Sequence, residues 1–378
     1  MNAKLKCAVI GAGAAGAAAA CAIARRGADV HLFEQFSLFH DRGSSHGPTR
    51  LFRTAYFEHP DYVPILQRAE KLWRDLETEY GGALYDKTGV LMAGAPDSEL
   101  IAGVNKAAGD HGLDLETLSH DQLAARFPWF SLDEDMEILL EHDAGYVRAD
   151  KAIAAFIRHA KKHGAQIHER KRISTWRKKS DKLLLEVNGE RHVFDRLIIA
   201  PGAFASSLLG DIGAPVKPMR KTLFWTAPGD DRFHCTHGFL PFAIQQSDGR
   251  FYYGFPAVDD DGVKVGEHTG GTTVASPSDD PAEARKQDRK DVTAFLKRHA
   301  PGLPSEFSKE QSCLYEMSPD SHFIIDKHPA DERVSFAIGL SGHGFKFAPA
   351  IGEALADLAL NGEARPDFDF LKFSRFSG

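Results

Sequence analysis

The sequence predicts an α/β protein of two domains, one of them Rossmann-like and dinucleotide-binding, and three observations carry that prediction. The chain has 378 residues, 43% of them hydrophobic, which is too long for one simple core and supplies apolar mass for two. It opens on a strand, turn, helix and strand built around three spaced glycines. Between 217 and 275 the pattern changes to short β runs separated by turns, a change of architecture within one chain.

Taken in order, CAVIGAG reads as a strand, residues from Ala14 to Arg26 as a helix, and DVHLFEQ as the next strand. The turn between the first two is Gly11-Ala12-Gly13-Ala14-Ala15-Gly16, and Glu34 follows 23 residues after Gly11. Alone, G-x-G-x-x-G is also compatible with a plain Gly/Ala turn; a strand before it, a helix after it and an acid at the end of the next strand make it a dinucleotide fingerprint. Gly11 makes the tight turn, Gly13 lets backbone N–H groups approach a pyrophosphate, and Gly16 lets the helix pack close to the strand. Glu34 is placed to accept hydrogen bonds from a ribose diol. The same opening, basic residues before small apolar ones, also looks like the start of a secretory leader, but Arg25 and Arg26 close it before a long apolar run develops.

Helical patterns recur at 60–80, 97–111 and 149–164, with the strand-like GVLMAG between the first two. DRLIIAPGAFASSLL reads as a buried strand running into a small-residue turn and helix. RFYYGFP and VKVGEHTGG read as β runs, and alternation in the latter sets Lys264, Gly266 and His268 on one face. SPSDDPAEARKQDRKD reads as a solvated loop and helix start, and RVSFAIGL as a strand leading into the helix AIGEALADLAL. No second G-x-G-x-x-G is present, so a bound FAD would take its electrons from the substrate directly and not from a second bound dinucleotide.

A net charge of −7 argues against a nucleic-acid or anionic-membrane partner and for a small molecule. The four cysteines, Cys7, Cys21, Cys235 and Cys313, lie far apart with no metal-ligand spacing, which fits a reducing compartment, by default the cytoplasm. Lys346, between Phe345 and Phe347 in SGHGFKF, poses a question of its own. Either its ammonium escapes to solvent along its stem or an anion meets it.

The stretches GSSHGPTRLFRTAY (43–56), KTGVLMAG (87–94), FYYGFP (251–256), VKVGEH (263–268), CLYEMSPDSHFIID (313–326) and SGHGFKF (341–347) span nearly the whole chain. Together they resemble the monomeric sarcosine oxidase and N-methyltryptophan oxidase family, within the D-amino-acid-oxidase-like flavoproteins. The resemblance implies an α/β (α+β) fold whose FAD-binding domain is assembled from 1–85, 146–216 and 318–378. A mixed-β-sheet substrate domain, 86–145 and 217–317, would cover the flavin. FAD would be held by the fingerprint residues Gly11, Gly13, Ala14, Ala15, Gly16 and Glu34, by Ser44, Ser45, Thr49 and Arg50, and by Gly342, Gly344, Phe345 and Lys346.

The resemblance further implies a covalent thioether from Cys313 to the flavin 8α-methyl; read alone, Cys313 is more simply an inert buried cysteine. Arg53 and Lys346 would hold a substrate carboxylate, a planar fork complemented by a point charge. Lys264 would activate oxygen by stabilising the negative charge that develops on it. Tyr253, His268 and Tyr315 would line the substrate cavity, and His46 and Arg50 would flank the flavin ring. Three departures, Pro48 where relatives often carry Asp, Ser45 where some carry a second histidine, and Glu267 in place of an aromatic, bear on substrate identity. The implied reaction is oxidation of an N-methyl or cyclic amino acid to an imine, with oxygen reduced to hydrogen peroxide and no metal involved. The implied partners are the amine or amino acid and oxygen, and the implied state is a monomer. Two alternatives stay open: a flavin-dependent amine dehydrogenase using a non-oxygen acceptor, and an oxidase of a specialised amine that is not a simple amino acid.

Overall fold

KCAVI at Lys6–Ile10 is apolar on both faces, as a strand covered on both sides must be, and it lies inside a six-stranded sheet. The structure, a computed structural model, describes residues 4–376. Across this sheet the order is Ile324–His328, Asp331–Ile338, Arg196–Ile199, Lys6–Ile10, Asp29–Phe33 and Gln166–His168. All neighbours are parallel except Ile324–His328, which runs antiparallel to Asp331–Ile338. The chain reverses direction of travel at Lys6–Ile10, with Asp29–Phe33 on one side and Arg196–Ile199 on the other, so a crevice opens at its carboxyl end.

Helix Ala14–Arg25 connects the first two strands and packs on helix Ala348–Asn361. The contact is close because both faces are small: a Cβ on Gly352 would lie 2.5 Å from the Ala18 carbonyl carbon. The run of alanines, weak as a leader, is therefore a helix–helix seam.

The second large sheet has nine strands and is mixed. Lys217–Thr226 pairs with Phe307–Met317, Lys264–Glu267 and Thr272–Thr273, and the sheet continues through Phe251–Phe255, Phe242–Gln245, Val90–Gly94 and Glu137–Glu141 to Glu116–Leu118. Phe242–Gln245 and Val90–Gly94 are parallel, the other pairs antiparallel. Helix Ala282–His299 covers it through Val292, Phe295 and Leu296, with Phe295 stacked on Tyr252 at 4.3 Å. A short sheet of Thr49–Phe52, Gly145–Arg148 and Tyr85–Asp86 carries the cationic residues of the 43–56 segment toward the second sheet.

Two expectations need correction. The residues after Arg196–Ile199 form a 3-10 helix, Gly202–Ser207, and not an α-helix; Gly202 sits at φ 56° and turns the chain before a full helical register can start. The VKVGEHTGG run is a strand only over Lys264–Glu267, because Gly270 and Gly271 both take positive φ and end it. The antiparallel meander Ile173–Lys179, Lys182–Val187 and Glu190–Phe194 was not anticipated from the sequence. Among the described residues all four cysteines are free and no helix is long and apolar enough to cross a membrane.

Candidate active site

One elongated cavity runs from the end of strand Lys6–Ile10 to the loop at 340–346 and is walled by residues of both large sheets. Its first end is built mainly from backbone. Gly11 takes φ +94° and donates its N–H to Phe33 O at 2.8 Å; a Cβ there would lie 2.3 Å from Ala200 O. A Cβ on Gly16 would lie 1.8 Å from Gly11 O, so only glycine lets the helix start this close to the strand. Gly13 caps helix Ala14–Arg25, and the Ala14 N–H donates to Ser45 Oγ at 3.1 Å. Glu34 accepts from the N–H groups of Ala12 and Phe36, each at 2.9 Å, with His40 Nε2 3.3 Å away. Burial works against its charge, but His40 and the two N–H donors outweigh it and hold the carboxyl below its usual range. Glu34 is thus ionised at neutral pH.

The other end is built from buried side-chain charge. Arg50 donates to the carbonyls of Ser44 (2.7 Å), His46 (2.6 Å) and Thr49 (2.7 Å), and its guanidinium lies 5.5 Å from the Phe345 ring centre. Lys264 Nζ donates to the same Thr49 carbonyl at 2.9 Å and lies 4.9 Å from the Phe255 ring centre. Burial first, then Arg50, push Lys264 well below the usual lysine range. His46 is pushed down to about 4 by burial, Arg50 and Lys264, so it is a neutral imidazole, and both its ring nitrogens are buried without a partner. Cys313 is 4% exposed, with burial raising its thiol pKa.

Arg53 is 2% exposed, pairs with Glu58 at 3.0 Å and lies over Tyr56 and Phe57 at 4.7 and 4.4 Å. Burial opposes the charge on Glu58, but Arg53, His343 and Lys346 prevail and draw it down to about 2. Lys346 is 5% exposed, so it does not snorkel to solvent. Its Nζ donates to His343 O at 3.2 Å, and burial and Arg53, opposed by Glu58, lower it to about 7. His343 Nε2 faces Ser321 O at 2.9 Å and so carries the proton, which leaves Nδ1 to accept from the Tyr56 hydroxyl at 2.5 Å. His268, driven down to about 3 by burial, has Nδ1 3.4 Å from the Tyr315 hydroxyl, and burial lifts Tyr253 to about 12.

The cavity wall brings together Gly11, Gly13, Ala14, Ala15, Glu34, Ser44, Ser45, His46, Arg50, Arg53, Tyr253, Lys264, His268, Cys313, Tyr315, Gly342, Gly344, Phe345 and Lys346. Two expected residues stand behind it. Gly16 acts through packing, and Thr49 is 1% exposed and turns its carbonyl to the two cations, Arg50 and Lys264. Sequence reasoning missed Glu58, His343 and Glu316, all of which line the cavity.

Residues 6–358 match the family described as FAD dependent oxidoreductase (DAO). The chain belongs to this family. This oxidoreductase is 36% identical over 365 residues to the monomeric sarcosine oxidase of Streptomyces avermitilis, covering 94% of this chain and 93% of that one. It is 34% identical over 370 residues to the N-methyl-L-tryptophan oxidase of Salmonella dublin, covering 98% of each. Among solved structures, NikD, an unusual amino acid oxidase essential for nikkomycin biosynthesis, has the same fold with a TM-score of 0.84 at 22% identity, over 98% of this chain and 97% of that one. L-proline dehydrogenase from P. horikoshii follows at 0.81 and 20%, over 100% and 99%. The oxidoreductase's own residues fit FAD: a glycine cradle that Cβ atoms would fill, an ionised Glu34 beside it, and unpartnered polar atoms on His46 and Glu316 deeper in the same cavity.

Proposed function

We propose that this FAD-dependent oxidoreductase oxidises a secondary amino acid, N-methyl or cyclic, which Arg53 and Lys346 hold by its carboxylate. The observation that carries this reading is the pair of buried cations, Arg53 and Lys346, facing the cavity shared with Cys313 and Lys264. Glu58 neutralises one of them, so with Lys346 protonated the cluster has one positive charge to offer, which suits a monoanion.

When bound, FAD supplies the two-electron acceptor, and oxygen returns it to the oxidised state with release of hydrogen peroxide. Arg53 and Lys346 fix the carboxylate, which leaves the carbon next to nitrogen as the part of the substrate that can reach the ring. His268 and Tyr253 close the cavity around the amine, and His268, uncharged at any working pH, adds no cation that would repel it. Lys264, buried, and Arg50, half-buried, are tied to one carbonyl and place positive potential where charge develops on oxygen.

Cys313 carries the flavin covalently on this reading; its burial among Leu223, Tyr253 and Tyr315 at the ring end supports that placement. The proposed division into an FAD-binding part (1–85, 146–216, 318–378) and a substrate part (86–145, 217–317) follows the two large sheets. A monomer in the cytoplasm is supported by the name of the Streptomyces relative and by four free cysteines. An oxygen electrode tests the proposal: sarcosine, N-methyltryptophan, L-proline or L-pipecolate should drive oxygen uptake with equal hydrogen peroxide. Flavin reduction by one of them without oxygen uptake would replace the oxidase with a dehydrogenase.

A further inference from the structure

Glu316 is buried in the cavity wall, and the proposed chemistry does not use it. It lies on strand Phe307–Met317, three residues beyond Cys313, and is 4% exposed. Its carbonyl accepts from the Ser341 N–H at 2.9 Å and its Oε2 from the Gly339 N–H at 2.8 Å, which ties the strand to the loop that carries Gly342 and Lys346. Oε1 is buried and has no partner. Burial raises this carboxyl to about 8, with the Gly339 N–H pulling the other way, so it keeps a proton at pH 7 and can both donate and accept. A buried polar atom left this way is costly, which implies an occupant.

The position along the cavity identifies that occupant. Toward one end stand Tyr315 and Gly342, the latter so close that a Cβ on it would lie 2.1 Å from the Tyr315 ring. Toward the other stands the Ala200–Ala203 turn, whose first carbonyl packs on Gly11 and whose Ala203 packs on Leu314. Glu316 thus lies between the phosphate-binding turn and the ring end, where FAD has its polyol chain. We propose that the free carboxyl oxygen of Glu316 is a hydrogen-bonding site for the ribityl hydroxyls of FAD. A neutral acid matches a hydroxyl, since each gives and takes one hydrogen bond, and this inference rests on the reading that puts the ring beside Cys313.

The test is reversible FAD binding in a Cys313→Ala background, where the cofactor exchanges, followed by flavin fluorescence quenching and by the thermal unfolding of the FAD-free proteins. E316L should bind FAD about tenfold more weakly, the loss of one hydrogen bond to the cofactor, and, because it also takes the acceptor from the Gly339 N–H, its FAD-free form should unfold below the parent. E316Q, which keeps a donor and an acceptor, should stay within about twofold. An FAD analogue with hydrogens in place of ribityl hydroxyls repeats the comparison as a double-mutant cycle: it should lose affinity on the parent and on E316Q alike, and lose less on E316L. Equal FAD affinity in E316L and parent, or an equal loss with the analogue on parent and E316L, overturns the assignment and leaves the oxygen to a bound water. A parent that takes up no FAD at all overturns the oxidase reading with it.

Discussion

The two ends of the cavity are built by opposite means. At the dinucleotide end, glycines and peptide N–H groups do the positioning, and the buried charge, Glu34, is held by donors from residues 12 and 36. At the ring end, Arg53, Lys264 and Lys346 are buried and Arg50 is half-buried; the four come from three separate parts of the chain, with Glu58 paired to Arg53 and Asp150 acting on Arg50 and Lys264. The difference teaches where each end is fragile: the first in its backbone shape, the second in its charge balance.

Substitutions can break that contrast, and the largest effect is expected at Gly16. G16A puts a methyl 1.8 Å from Gly11 O, so the helix must move from the strand; a loss of about 3 kcal/mol or more in unfolding free energy and loss of bound FAD are expected, read by thermal unfolding and flavin content. At the other end the fold should survive and function should fail. R53M, which strips Glu58 of its partner, should raise KM for an amino-acid substrate by about 100-fold, because truncating one side of a buried charge pair costs about 2–5 kcal/mol. K264M should slow reoxidation of the reduced enzyme by oxygen by about 10²–10³-fold while anaerobic reduction by substrate is less affected, as stopped-flow absorbance would separate.

A pH experiment sharpens the same contrast. Lys346 has its pKa lowered to about 7 in the free protein, so its charge is full below that value and is lost as pH rises through it. Binding of a simple carboxylate without an amine, such as propionate, should therefore weaken above pH 7, by about tenfold between pH 6 and 9, and K346M should flatten the profile. The smallest effect belongs to S45A, which removes the acceptor of the Ala14 N–H: about 1 kcal/mol of stability, read by denaturant unfolding.

This contrast also explains what the sequence made legible. The Gly11 turn, its helix and Glu34 are local, and their spacing alone places them correctly. The ring end could be assembled only by resemblance, because no local rule brings residue 53 to residue 346. Glu58 escaped notice because it lies in an irregular stretch between Thr49–Phe52 and helix Tyr62–Tyr80, where no periodicity says which way a side chain faces. Glu316 escaped for another reason: alternation along its strand turns Cys313 and Tyr315 to one face and Glu316 to the other, and that second face is also buried. Thr49 was expected among the residues that hold FAD, and its carbonyl accepts from Arg50 and Lys264, a role that residue identity does not encode.

The central claim is that the ring end is a carboxylate clamp for an amine that reduces the flavin. Its most direct test is the visible spectrum of the purified protein under anaerobic conditions, before and after sarcosine, N-methyltryptophan, L-proline and L-pipecolate, in the native protein and in K346M. The account predicts that at least one of these bleaches the flavin bands of the native protein at concentrations far below those K346M requires. Bleaching at equal concentrations in both proteins, or a flavin spectrum that no amino acid of the series alters, would contradict it.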